Sequence, residues 1–238
     1  MNLLDIFNKL TTGELAQLAL GGVHESGISP NDYAKIIPHI NLGLTDLHSV
    51  LPLSGKTVGI DQYDYINMYK LDVAHAQSSN VQPDDGLPKY ISDSAENPFL
   101  GDIIRIEEVV NEVGDIIPFN QPDELDGVFT ASYDTIQIPQ PVTGNVTFIT
   151  YRANHAIIPV DVVVPEEIEI RIPQSHVQAL LFFVASRYFA SKNGADTAEI
   201  SQSYRLKYMQ ELNMIQKYNL NREHSSTFNK RVAMRGFV

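Results

Sequence analysis

The sequence predicts an α+β fold: a helical bundle formed by N- and C-terminal helices, an inserted antiparallel β-sandwich or barrel-like domain, and an extended C-terminal tail. Three observations carry this. Apolar residues recur at helical spacing in residues 1–52 and again in 173–218. Short apolar or alternating runs, separated by Gly, Asn, Asp and Pro, fill 53–172. Residues 219–238 then turn basic, with isolated large apolar residues among the charges.

The opening MNLLDIFNKL reads as a short amphipathic helix and lacks the basic start, continuous apolar core and small-residue cleavage site of a signal peptide. Thr11 and Glu14 offer a capping box, predicting a helix through Leu15, Leu18 and Ala19 that stops at Gly21-Gly22. Ser29 at the N-cap, Pro30 at the first turn and Asp32 near the positive end of the dipole start a second helix. Its stripe of Tyr33, Ile36, Ile37, Ile40, Leu44 and Leu47 runs to about Val50, with a kink expected at Pro38 and a stop at Pro52.

Thr57–Ile60 and Met68–Val73 are weak strand candidates, and the polar 78–97 stretch reads as loop. Stronger strand signals follow at Ile103–Val110, Asp115–Phe119, Val128–Ser132, Thr135–Ile138, Val146–Arg152, Val160–Val164 and Ile168–Ile172. The last alternates most clearly, with three isoleucines on one face and Glu169 and Arg171 on the other. Asn145-Val146-Thr147 matches a glycosylation sequon but reads as a turn entering a strand.

A helix from Gln174 to Lys192 comes next, and it is apolar on more than one face. Val177, Leu180, Leu181, Val184 and Tyr188 form one stripe, while Ala179, Phe182, Phe183, Ala185 and Phe189 spread onto others. Such a helix needs neighbours on several sides, and another copy of the chain is a plausible source of some, so Val177, Leu181, Phe182, Phe183 and Phe189 are candidate contacts with another copy. Its apolar run is too short for the roughly 20 residues of a membrane span, so no membrane partner is expected. Asp196 or Thr197 caps a final helix with Ile200, Tyr204, Tyr208, Leu212 and Ile215 on one stripe.

Charge is unevenly placed. Arg222, Lys230, Arg231 and Arg235 against Glu223 give residues 219–238 a net +3, leaving −15 on residues 1–218 of the total −12. So acidic a body repels nucleic acid over most of its surface, because duplex binding depends on neutralising phosphates with Lys and Arg. The tail, with Phe228, Val232, Met234 and Phe237, suits a partner's groove or is an unstructured end. Cysteine is absent, which removes disulfides and thiolate metal sites.

Catalytic spacing is missing. There is no phosphate-cradling glycine loop, GxGxxG, HExxH, EF-hand or nucleophile elbow. His39 and His48 share a helix without a third ligand, and His75, His155 and His176 read as structural. Asp84-Asp85, Glu107-Glu108, Glu166-Glu167 and Asp61 with Asp64 are carboxylate pairs without a liganding framework, and Ser175 and Ser186 lack a His/Asp partner at motif spacing. No enzyme, cofactor or metal is expected; the rival reading is a glycan hydrolase using scattered carboxylates such as Glu107 and Glu166.

Asn41-Leu42-Gly43-Leu44, Asp102–Ile106 followed by Asn111-Glu112-Val113-Gly114, Ile149–Ala153, and Ile172-Pro173 leading into Gln178–Tyr188 together span most of the chain. In arrangement the sequence resembles the head-to-tail adaptor proteins of tailed bacteriophages, of the tail tubular protein A or gatekeeper type. That resemblance implies a structural virion protein in the neck: a ring, commonly a dodecamer, beneath the portal, joining it to the tail nozzle or tail tube and continuing the DNA channel used in genome ejection. It implies a helical bundle in the ring, a β-rich extension, and a tail docking on the portal, here through Arg222, Phe228, Lys230, Arg231, Met234, Arg235 and Phe237. Double-stranded DNA would pass without sequence-specific binding, and the protein would be made in the host cytoplasm. Another neck or tail completion protein is the alternative within the same class.

Overall fold

A computed structural model describes residues 1–16, 28–121, 127–192 and 194–218. Among them four α-helices and two antiparallel sheets form a mixed α+β fold, and neither sheet closes into a barrel. The helices are α1 (Leu3–Thr12), α2 (Pro30–Val50), α3 (Val177–Ala190) and α4 (Ala195–Lys217). The strands are β1 (Gly55–Asp61), β2 (Met68–Lys70), β3 (Ile91–Ser92), β4 (Ile103–Val110), β5 (Phe129–Ser132), β6 (Thr135–Gln137) and β7 (Val146–Ala153).

Helix α1 forms as its pattern requires, and its cap is Asn2, a residue the sequence reading did not single out. Asn2 Oδ1 accepts from Asp5 N at 2.8 Å and Asp5 Oδ2 accepts from Asn2 N at 3.0 Å, a reciprocal box at the start of the chain. Thr11 is the corrected residue: its hydroxyl donates back to the Phe7 and Asn8 carbonyls in the last turn of α1, so it ends a helix and begins none. Leu18, Ala19 and Gly21-Gly22 lie outside the described residues. Helix α2 has the expected bounds and runs on through Pro38, whose missing N–H leaves the Ala34 carbonyl without its helical donor.

Helix α3 is preceded by a 3₁₀ turn at Gln174–His176 and packs against α1, α2 and α4. Gly43 allows the α2 approach: a Cβ there would sit 2.7 Å from Leu180 Cδ1 and 2.9 Å from Phe183 Cδ1. Helix α4 is bound to the rest by Ser201 Oγ to the Ser186 carbonyl (2.8 Å), by the Tyr204 hydroxyl to the Glu14 carbonyl (3.2 Å), and by the Tyr208 hydroxyl to Asp46.

The first sheet has the order β3-β1-β7-β4 and the second β2-β6-β5. Side chains of both meet in one cluster, including Val58, Ile60, Ile106, Val109, Ile149 and Tyr151 with Tyr69 and Ile136. Strand β4 slips register against β7 at two places, so its buried residues are Ile103, Ile106 and Val109, three apart, where an unbroken strand would bury every second one.

Three expected strands are corrected. Asp115–Phe119 makes only isolated bridges, Ile116 with Val110 and Phe119 with Val128, and Val160–Val164 is turn. Ile168–Ile172 does alternate, but against the N-terminus: Leu3 N donates to the Ile168 carbonyl at 2.9 Å and Ile170 N to the Met1 carbonyl at 2.8 Å. Its isoleucines therefore join the helical core, together with Ile158 and Val162. The two cores part between Ala153 and Ile158, upstream of the boundary expected at 172. Within 78–97, expected to be loop, β3 pairs Ser92 and Ile91 with Gly59 and Ile60.

Helix propensity alone favours alanine over glycine by about 1 kcal/mol, yet Gly43→Ala places a methyl inside the α2–α3 contact. The variant is expected to be less stable by about 1–3 kcal/mol, read from denaturant unfolding.

Candidate interaction surfaces

The expected ring-contact helix is occupied at home. Val177, Leu181 and Phe189 of α3 are 4%, 5% and 7% exposed. Phe189 stacks on Tyr204 with centroids 5.8 Å apart, Phe183 meets Tyr208 edge-on at 5.2 Å, and Phe182 lies 6.1 Å from Tyr204. Phe182 and Phe183 are half-buried against the helical core. The chain's own α1, α2 and α4 meet the need for neighbours that the sequence assigned to a second copy. The tail candidates Arg222, Phe228, Lys230, Arg231, Met234, Arg235 and Phe237 lie outside the described residues, which end at Tyr218 just beyond α4.

The exposed apolar side chains among the described residues include two groups that the sequence reading did not mark. Along the outer side of α4 run Leu206, Met209 and Met214, all about half exposed, opposite the inward Tyr208 and Ile215. The second is the loop after β7, where Ile157, Val160, Val163 and Val164 are exposed while Ile158 is buried and Val162 packs on the helical core. Reading 160–164 as a strand hid this loop; the signal available was an aliphatic run closed by Pro159 and Pro165.

Where the chain leaves α2 for β1 and returns from β7, polar groups form a seam. Ser54 Oγ donates to the Ala153 carbonyl at 2.6 Å, and Ala153 N donates to the Ser54 carbonyl at 2.8 Å. His48 Nδ1 lies 3.0 Å from Ser54 Oγ and 3.2 Å from the Ala153 carbonyl. Asn41 holds the Ile158 backbone from both sides, donating to its carbonyl (2.8 Å) and accepting from its N–H (3.0 Å). The two ring nitrogens of His155 face the Ala156 carbonyl (2.7 Å) and the Asn41 carbonyl (3.0 Å). Arg152, buried on β7, donates to the Ser49 carbonyl at 2.7 Å and pairs with Glu107.

Burial lowers the pKa of His48 and of His155, against carbonyl contacts that pull each upward, and His155 adds repulsion at His48. Burial also lowers His176, and burial followed by Arg187 lowers His39.

The remaining candidates are dispersed or already engaged. Glu107 faces the guanidinium groups of Arg152 and Arg105, while Glu166 and Glu167 lie in a 3₁₀ turn beside the helical core. Ser175 Oγ does meet a histidine, its neighbour His176 at 2.9 Å, but the other ring nitrogen of His176 is buried without a partner among the described residues. His75 stacks on Tyr90 at 4.4 Å. Among the described residues no group of three His, Asp or Glu side chains is placed to hold a metal. A cleft of about 610 Å³ beside β1 includes Lys56 and Asp93; Lys56 pairs with Asp102 at 2.6 Å, and Asp93 accepts from Ser78 and from Phe99 N. Asn145 sits in the turn entering β7. No protein-family model matches the chain, and no curated protein matches it.

Because His39, His48, His155 and His176 are held below their ordinary 6.5, the folded chain binds fewer protons than the unfolded one from about pH 6.5 downward. Stability is complete above that pH and is lost as pH falls towards the lowered folded values. Melting temperatures between pH 8 and 5 should show this slope, and His48→Gln should flatten it. Replacing Arg152 with Met removes charged hydrogen bonds and should lower the unfolding free energy by about 1.5–3 kcal/mol, measured in urea.

Proposed function

We propose that the chain is a subunit of the head-to-tail adaptor ring of a tailed bacteriophage, with its helices as the bundle in the ring and its two sheets as a sandwich-like extension. The observation that carries this reading is the distribution of charge. Residues 53–153 hold sixteen acids and five bases, a net −11, while the only strongly basic segment is residues 219–238, beyond α4. An acidic extension along a channel lets DNA pass without adhering, since adhesion requires cations that release the phosphate counterions. A basic tail with aromatic anchors suits docking on an acidic groove of the portal. Helix α4 ends at the surface, where Tyr218, the last described residue before that tail, is exposed.

The test is the solution mass of the purified chain, alone and with its cognate portal, for the full sequence and a version ending at Asn219. The full chain should add to the portal and the truncated chain should not. Indifference of the full chain to portal would reject the adaptor, and capture of the tail by tail-tube protein instead would assign it to another neck component.

A further inference from the structure

We infer that copies of this chain associate head to tail, the outer face of α4 in one copy receiving the 157–164 loop of the next. This deepens the ring reading and rests on it only for closure of the series.

Three observations support the contact. The first is the character of the α4 face. At 100° per residue, Leu206, Met209 and Met214 share a stripe with Gln202, Ser203, Gln210 and Asn213, so no charge interrupts it between Glu199 and Lys217. Arg205 falls on one flank and Lys207 on the other, followed one turn on by Glu211, and among the described residues neither base makes an ion pair, although Lys207 lies 4.8 Å above the Tyr204 ring.

The second is the loop, which matches that face in both chemistry and sign. Val163 is 88% exposed, and Ile157, Val160 and Val164 accompany it. Ile158 and Val162 anchor the loop in the helical core and Asn41 clamps its backbone, so the aliphatic knob is presented in a fixed conformation. Its exposed acids Asp161, Glu166 and Glu167 make no ion pair among the described residues. An apolar knob with an acidic rim thus complements an apolar stripe with basic flanks.

The third is placement. On α2, Gly43 faces α3 and Asn41 faces the loop; two residues apart on a helix, they point about 200° apart. Helix α4 packs on α3, whereas the loop is held by α2 through Asn41. The stripe and the loop thus sit on different helices of the bundle. The contact is heterologous, each subunit using one surface of each kind, and it repeats from copy to copy.

The experiment uses sedimentation of the full chain with two exposed substitutions, Met209→Glu on the stripe and Val163→Glu on the loop, after each variant is shown to melt like the parent. The parent should self-associate with concentration, and each variant alone should weaken this by more than about tenfold. Mixed in equal amounts, the variants should form a dimer and nothing larger, because only one intact stripe meets one intact loop. Three results would overturn the proposal: a parent that stays monomeric at its highest soluble concentration, a Val163→Glu chain that still self-associates, or a mixture that stays monomeric. A parent that self-associates as described but ignores the portal would reject the adaptor reading and leave this contact standing.

Discussion

A helix with no polar face has to be enclosed, and the rest of the helical part is arranged around meeting that condition for α3. Helix α2 reaches it through the missing side chain of Gly43, α1 lies against it, and α4 covers it with Tyr204 and Tyr208. The segment that returns from the sheets contributes Ile158, Ile168 and Ile170 to the same cluster and hydrogen-bonds to the first residues of the chain. This enclosure leaves only Phe182 and Phe183 among the large apolar side chains of α3 half-buried. Association has to use what lies outside the enclosure.

Much of this was legible in the sequence. Ser29-Pro30 and the stripe from Tyr33 to Leu47 define α2, and Ile103–Val110 defines β4 to the residue, because those signals are local. The failures are equally physical. Ile168–Ile172 has the alternation of a strand, but alternation states only that one side is apolar; its partner, the N-terminus, lies more than 160 residues away in the chain. Bulges in β4 replaced the spacing of two with a spacing of three, which no local pattern anticipates. The covering of α3 could not be apportioned between the chain and a second copy, since hydrophobicity does not name its partner.

The partners of the seam histidines were hidden for a related reason. His48 and His155 act through backbone atoms about a hundred residues away, so no ligand or triad spacing marks them. Carbonyl contacts pull the pKa of each upward, and burial outweighs them at both. Of the site residues expected from sequence, those on α3 were correctly seen as large and apolar; Val177, Leu181 and Phe189 lie in a core, and Phe182 and Phe183 are half-buried against it.

The chain crosses from helices to sheets twice, at Ser54 and at Ala153, and the backbones of those two residues are hydrogen-bonded to each other. Departure and return are therefore adjacent strands of one ladder, β1 and β7, paired from Gly55 with Arg152 to Asp61 with Val146. To the helices, the hundred residues between the crossings present the geometry of a single tight hairpin. The β part is in this sense a cassette: it can lengthen, shrink or be exchanged without altering how α2 and α3 meet, provided that whatever replaces it begins and ends on a neighbouring antiparallel pair.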